Sequence, residues 1–342
     1  MTQRCRAAII GATGAVGRKL IECIEKREFP VSEVALFASP GSEGKVLHVS
    51  GKPCRLAALS RDRVSGFDLA FLAAGAAVAR EFAPLFAAAG AAVVDTSGAW
   101  SLEPGIPLGV PEINPRDIRG HGGIVASPTA PTVPLALILH PLHRAARVRR
   151  VSVSTYQPVS GEGLRAMMDF EEALLSDASD TAGRTRPSTL DAVPLRPVSR
   201  GGPPARHAPG EIRLGEEIRK ILEDPAIGVA ATCVRVPVRQ GMGESIAVET
   251  ERAIGLSEAL DLLGKAPGLR LCDGPGNDPT PAAAAGKPEV QVGHVREDPS
   301  MPGGLLLWAA CDNLLKGSAL NAVQIAELIM SGDREAAGPK PG

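Results

Sequence analysis

Aromatic side chains are scarce: Phe, Tyr and Trp make up 3% of the 342 residues, with a single tyrosine. Burial therefore falls to Leu, Val, Ile and Ala. No apolar run reaches the ~20 residues of a membrane span, so no membrane contact is expected. Neither sign of charge is in excess; the net charge of −1 lacks the basic surplus of a nucleic-acid binder. The six cysteines (Cys5, Cys23, Cys54, Cys233, Cys272, Cys311) are scattered, without CxxC or His-paired spacing, so no metal centre is expected. They read as buried small hydrophobes in a reducing compartment. The first residues lead into a strand rather than an apolar leader, and a cytoplasmic protein is expected. With 44% hydrophobic and 22% charged residues, the chain has the balance of a soluble globular protein large enough for two domains.

What is present begins with a strand, a glycine loop and a helix. Residues 6–10 are apolar, Gly11-Ala12-Thr13-Gly14-Ala15-Val16-Gly17 follows, and residues 18–24 carry helical spacing. Glycines there let the backbone turn tightly and approach a pyrophosphate held on the helix N-terminus. The spacing is GxxGxxG, a variant of GxGxxG. Gly11, Thr13, Gly14, Ala15, Val16 and Gly17 are the candidate dinucleotide contacts, against the alternative of a plain tight turn. Residues 34–37 read as a second strand, whose following loop meets the adenosine ribose in such folds. Neither an acidic residue for NAD nor an Arg for the 2′-phosphate of NADP sits cleanly there. Gly41 occupies the middle of the loop and Ser39 is the candidate contact, so NADP and NAD both stay open.

Strands at 67–72 and 91–94, with a helix at 77–89, continue the alternation of a doubly wound parallel sheet. Residues 124–126 close this part. The turn Ser127-Pro128-Thr129-Ala130-Pro131-Thr132 then opens a helix running to about Leu142. Such a helix mouth lowers a nucleophile's pKa, yet Ala130 has no chemistry to offer. The second half reads as a strand at 148–156, a loop at 157–163 and a helix at 164–175. A Pro/Gly/Arg/Ser-rich surface excursion follows at 176–210. After it come a helix at 214–222, strands at 229–238 and 245–250, a helix at 257–263, a loop at 273–289, a strand at 305–308 and a helix at 313–330. Residues 331–342 read as a flexible tail. Asp68 and Asp95 border strands as caps or ligand contacts, and Glu112 reads as structural. His140 and His143 sit where helix C-termini favour a cation.

These stretches resemble the aspartate-semialdehyde dehydrogenase family over nearly the whole chain. GATGAVG (11–17) is similar to its cofactor loop. VVDTSGAW (93–100) and VPEIN (110–114) resemble the segment leading to its catalytic strand. STYQPVSGEG (154–163) looks like its loop with the substrate-facing Gln, here Gln157, and CVRVPV (233–238) like its substrate-arginine strand, here Arg235. DNLLKGSALNAVQIAE (312–327) is similar to its C-terminal helix, which returns to the cofactor domain. The resemblance implies an α/β fold: a Rossmann-type dinucleotide-binding domain, 1–128 plus the helix 313–330, and an α+β substrate and dimerisation domain, 129–312.

The resemblance also implies a chemistry. A Cys thiolate adds to the aldehyde, a His serves as acid/base, hydride passes to NADP, and phosphate resolves the thioester. One Arg grips the substrate carboxylate and another holds phosphate. In this register the Cys position falls on Ala130 and the His position, seven residues after Arg235, on Met242. The phosphate Arg falls on Ser101 and the 2′-phosphate Arg on Gly41. Gln157 and Arg235 remain, and Glu211 and Arg213 lie near the family's Glu and Lys pair. Asn313 either closes over the nicotinamide or caps the last helix. The expectation is a family-like protein with no intact catalytic residue, keeping substrate contacts at Gln157, Arg235 and Glu211. It binds a dinucleotide weakly or not at all and forms a homodimer through its central sheet. Two alternatives stay open: an NAD(P)-linked oxidoreductase working without the Cys, and a regulatory partner in mixed dimers.

Overall fold

A computed structural model describes residues 4–179, 193–194, 207–272, 274 and 276–336. The chain divides into two units, residues 1–129 with 318–342 and residues 130–317. The first unit runs β1 (Cys5–Ile10), α1 (Ala15–Lys26), β2 (Val31–Ala38), a hairpin of β3 (Val46–Val49) and β4 (Lys52–Arg55), and β5 (Ala57–Ala58). It continues with β6 (Leu69–Leu72), α2 (Ala76–Ala88), β7 (Ala92–Asp95), α3 (Pro115–Arg119) and β8 (Ile124–Ala126). The main sheet has the order β5-β2-β1-β6-β7-β8. Every pair in it is parallel. All of β6, and β1 except Arg6, are buried, because helices on both faces leave a parallel strand no solvent side.

The second unit contains α4 (Thr132–Ala146), β9 (Val148–Gln157), α5 (Leu164–Ser179), β10 (Val193–Pro194), α6 (Pro209–Ile221) and β11 (Gly228–Arg235). Then follow β12 (Met242–Thr250), α7 (Leu256–Lys265), β13 (Leu269–Cys272), α8 (Pro281–Ala284), β14 (Val290–Glu297) and β15 (Leu305–Cys311). Its mixed sheet has the order β10-β11-β9-β12-β15-β14-β13. α4 packs on β9, β12 and β15, α6 on β11, and α7 on β13 and β14. Along β12 the covered side carries Met242, Glu244, Ile246 and Val248, all buried, whereas Ser245 is exposed. After β15 comes a π-helical turn, Leu315–Ala319, and then α9 (Leu320–Ala336), which packs on α1, α3 and β7 of the first unit.

Several boundaries differ from the sequence reading. α6 begins at Pro209 rather than 214, where Glu211 Oε2 accepts from Ala208 N at 2.9 Å and closes the first turn. β12 begins at Met242 rather than 245, and the 273–289 loop holds the short α8. The last helix starts at Leu320, not 313. Asp312 Oδ1 accepts from Leu314 N and Leu315 N and draws the chain into the π turn first. α9 extends to Ala336, so residues 331–336 are helical, and 337–342 lie outside the described residues. Of the 176–210 stretch, 176–179 end α5, 193–194 pair with β11, 207–208 lead into α6 and 209–210 open it; the remainder also lies outside them.

The glycine loop is set by close approach. Gly11 has φ +86°, and a Cβ there would meet the Ala73 carbonyl oxygen at 2.5 Å. A Cβ on Gly17 would fall 2.2 Å from the Gly11 oxygen, so α1 can only leave the loop at this angle with no side chain in the way. Gly17→Ala is expected to cost about 1–3 kcal/mol of unfolding free energy. Urea denaturation checks this, and an unchanged midpoint would mean that the loop gives way without strain.

Candidate functional site

The first unit offers an anion cradle at the start of α1. Gly14 is the N-cap with no side chain bonded to the first turn, and that turn has no acidic residue. Free N–H groups and the positive end of the helix dipole remain for a negatively charged group. Arg18 Nε donates to the Thr13 carbonyl at 3.2 Å and stiffens the loop. Thr13, Gly14, Ala15 and Val16 are partly exposed along it, and Gly17 is buried. These residues fit a pyrophosphate. In the loop after β2, Ser39 is exposed and accepts Ser42 N at its carbonyl. A Cβ at Gly41 would stand in open space, and Arg63 on that side is paired with Glu43 at 3.3 Å. Asp68 Oδ2 accepts from Arg6 N at 2.7 Å, and Asp95 Oδ1 accepts from Ser97 N at 3.0 Å. Both acids hold backbone, and burial pushes the Asp95 carboxyl up. Ser101 is buried and donates to the Gly98 carbonyl.

In the second unit, Ala130 lies in the turn before α4, whose N-cap is Pro131 without a side-chain cap. The π turn crosses directly over it: a Cβ on Gly317 would be 3.3 Å from the Ala130 methyl. Met242 is 1% exposed and stands opposite Cys311 in the sheet register. Gln157 and Arg235 are register partners across β9 and β11. Gln157 Nε2 donates to Thr155 Oγ1 at 3.0 Å. Glu211 Oε1 accepts from Cys233 N at 3.1 Å, which fastens α6 to the strand carrying Arg235. Asn313 Oδ1 accepts from Gly241 N at 3.1 Å, and its Nδ2 donates to Ser160 Oγ at 3.0 Å. Of the two roles open for Asn313, capping is not the one found: Asp312 caps, and Asn313 ties the 158–162 loop to the start of β12. Gln157, Arg235, Glu211 and Asn313 are thus gathered about one loop and the strand ends beside it.

Residues 6–121 match the family model described as semialdehyde dehydrogenase, NAD binding domain, and residues 139–316 match its dimerisation domain. The aspartate-semialdehyde dehydrogenase of Aquifex aeolicus is 41% identical over 339 residues, covering 95% of this chain and 98% of the relative. The chain belongs to the aspartate-semialdehyde dehydrogenase family. The enzyme of that name from Synechocystis is 37% identical, with 96% of this chain and 98% of the relative covered. The crystal structure of aspartate semialdehyde dehydrogenase II from Vibrio cholerae superposes with a TM-score of 0.88 at 36% identity, over 96% of this chain and 99% of that one. The first unit is therefore the family's Rossmann-like NAD-binding domain and the second its dimerisation domain. Among the described residues no helix is long and apolar enough to cross a membrane, and no cluster of His, Cys, Asp or Glu has the makings of a metal site.

Cys233 and Cys311 are buried, and burial pushes both thiols up. His143 is a backbone acceptor: its Nδ1 takes Val148 N at 3.1 Å, and burial lowers its pKa. Sequence reasoning missed Glu162, Glu217 and Glu244. Glu217 is buried on α6 and accepts from Thr132 Oγ1 at 2.5 Å. Glu244 is 1% exposed, and among the described residues neither carboxyl oxygen has a hydrogen-bond partner. The signal available for it was its alternation with Met242, Ile246 and Val248 on an apolar strand face.

Burial alone raises the Glu244 pKa well above 4.5, so the folded protein holds it protonated. The unfolded chain ionises it above about pH 4.3. Its contribution to stability is thus complete below that pH and is lost as pH rises toward the folded value. Relative to Glu244→Gln, the wild type should lose up to about 1.4 kcal/mol per pH unit as pH rises above roughly 4.3, until the folded carboxyl ionises. Urea titrations at several pH values measure this. A difference that does not change with pH would mean that the carboxyl is already ionised in the fold.

Proposed function

We propose that this chain is an aspartate-semialdehyde dehydrogenase relative in which the covalent reaction has been lost and binding retained. The observation that carries the reading is Ala130 at the mouth of α4, in the position that the family's motif gives to the nucleophilic Cys. A methyl group has no lone pair to add to an aldehyde, and the thioether of Met242 cannot shuttle a proton. Ser101 and Gly41 stand where the motif has its two phosphate-binding arginines. The buried, unactivated state of Cys233 and Cys311 supports the reading by leaving no substitute thiol nearby. Loss of a covalent nucleophile costs about 10⁴–10⁶ in rate.

Gly11, Thr13, Gly14, Ala15, Val16 and Gly17 would hold the pyrophosphate of NADP or NAD, and Ser39 its ribose. The nicotinamide, when bound, supplies a hydride acceptor. Gln157, Arg235 and Glu211 would orient an acidic small molecule. The protein acts as a homodimer through its dimerisation domain, in the cytoplasm. A second reading, a non-covalent NAD(P)-linked oxidoreductase, is favoured by the uncapped α1 terminus and its glycine cradle.

One assay separates them. Wild type, Ala130→Cys, and Ala130→Cys with Met242→His are each given aspartate semialdehyde, NADP and phosphate while NADPH formation is followed. The wild type should be silent and the double variant should gain rate. Phosphate-dependent turnover by the wild type overturns the leading reading. Turnover that ignores phosphate supports the second.

A further inference from the structure

Arg235 is the cation read above as the grip for a ligand carboxylate, but its guanidinium is already engaged by the chain itself. Its side chain is only 13% exposed. Nη1 donates to the Pro158 carbonyl. Nε lies 3.2 Å from Glu162 Oε1, within ion-pair range though off the line of a hydrogen bond. Burial pulls the guanidinium pKa down and Glu162 pulls it back up.

The loop that brings Glu162 here is fixed. Val159 N donates to the Val238 carbonyl at 3.0 Å and Ser160 N to the Arg239 carbonyl at 3.2 Å, while Ser160 Oγ meets Asn313. Gly161 permits the contact, because a Cβ there would fall 2.9 Å from Arg235 Nη1. Gly163, at φ +98°, then turns the chain out to α5. The Glu162 side chain itself is 56% exposed, so it is free to rotate away.

We propose that Glu162 is an internal carboxylate occupying Arg235 in place of a ligand's carboxylate, so that this is a self-occluded anion site. It selects against simple monoanions and admits acids that can displace Glu162. The inference rests on the reading of Arg235 as a carboxylate position. A half-exposed ion pair is weak, so the occlusion is a tunable handicap and not a permanent seal.

The test uses the full-length protein with succinate as probe, titrated calorimetrically at low ionic strength. Wild type, Glu162→Ala, Glu162→Gln, and Glu162→Gln with Arg235→Lys are compared, with thermal melts to verify folding. The two single variants should bind succinate at least about fivefold more tightly than wild type. That gain should shrink as salt is added to the wild-type comparison, and it should vanish in the Arg235→Lys combination. Wild-type binding equal to that of the single variants, and dependent on Arg235, overturns the occlusion while leaving Arg235 as the anion grip. A gain that survives Arg235→Lys overturns it by placing the anion elsewhere. No binding by any folded variant overturns the reading of Arg235 itself, independently of the NADPH assay.

Discussion

The second unit is arranged around the hydrogen bond between Thr132 Oγ1 and Glu217 Oε2, 2.5 Å long and fully buried at both ends. A carboxylate taken out of water is costly without a donor, and a donor that meets it makes a strong, directional bond. α4 presents nothing but apolar side chains to its surroundings from Val133 to Leu139. The Thr132 bond ties the first turn of this helix to α6. The turn carrying Ala130 is one residue pair away, so the mouth of the helix is fixed by packing and not by a reacting group.

The opening strand, glycine loop and helix were legible because their periodicities are local and the glycines mark where backbone meets backbone. Gln157, Arg235 and Glu211, singled out by the family motif, lie at or beside the ends of β9 and β11. β13 and β14 were not read. LRLC is a short run, and Gly293 and the positive-φ His294 interrupt the alternation of VQVGHVRE. The start of α9 was misplaced because the sequence from Asn313 onward has helical composition, and only the capping by Asp312 shows that one turn is diverted. Glu162 was invisible as a partner of Arg235 because their juxtaposition joins a loop to a strand 73 positions later, with no periodicity to announce it. Glu244 failed in the opposite way: its alternation placed it inside, but a charge-bearing residue on a strand is normally assigned to solvent.

The polar groups in the second unit have different standing. Glu211, Asn313 and Asp312 each hold two or more backbone or side-chain partners and stiffen the frame. Glu244 has none among the described residues, and burial pushes its carboxyl well above the usual range. Arg235 lies between these cases, charged and partly buried, with its charge balanced by a carboxylate on a side chain that remains half in water.

The first unit is assembled from two distant pieces of chain. α9 supplies Ala322, Val323, Ile325 and Ala326, all fully buried. Asn321 Nδ2 reaches the Gly109 carbonyl and Ser127 Oγ at 2.9 Å, and Glu327 grips Arg27. During translation the parallel sheet therefore leaves the ribosome first but lacks its final covering helix, while residues 130–317, contiguous in sequence, can finish folding before it. Birth order and completion order are reversed, and until α9 arrives the nascent NAD-binding domain carries an uncovered apolar face, the kind of intermediate that chaperones attend.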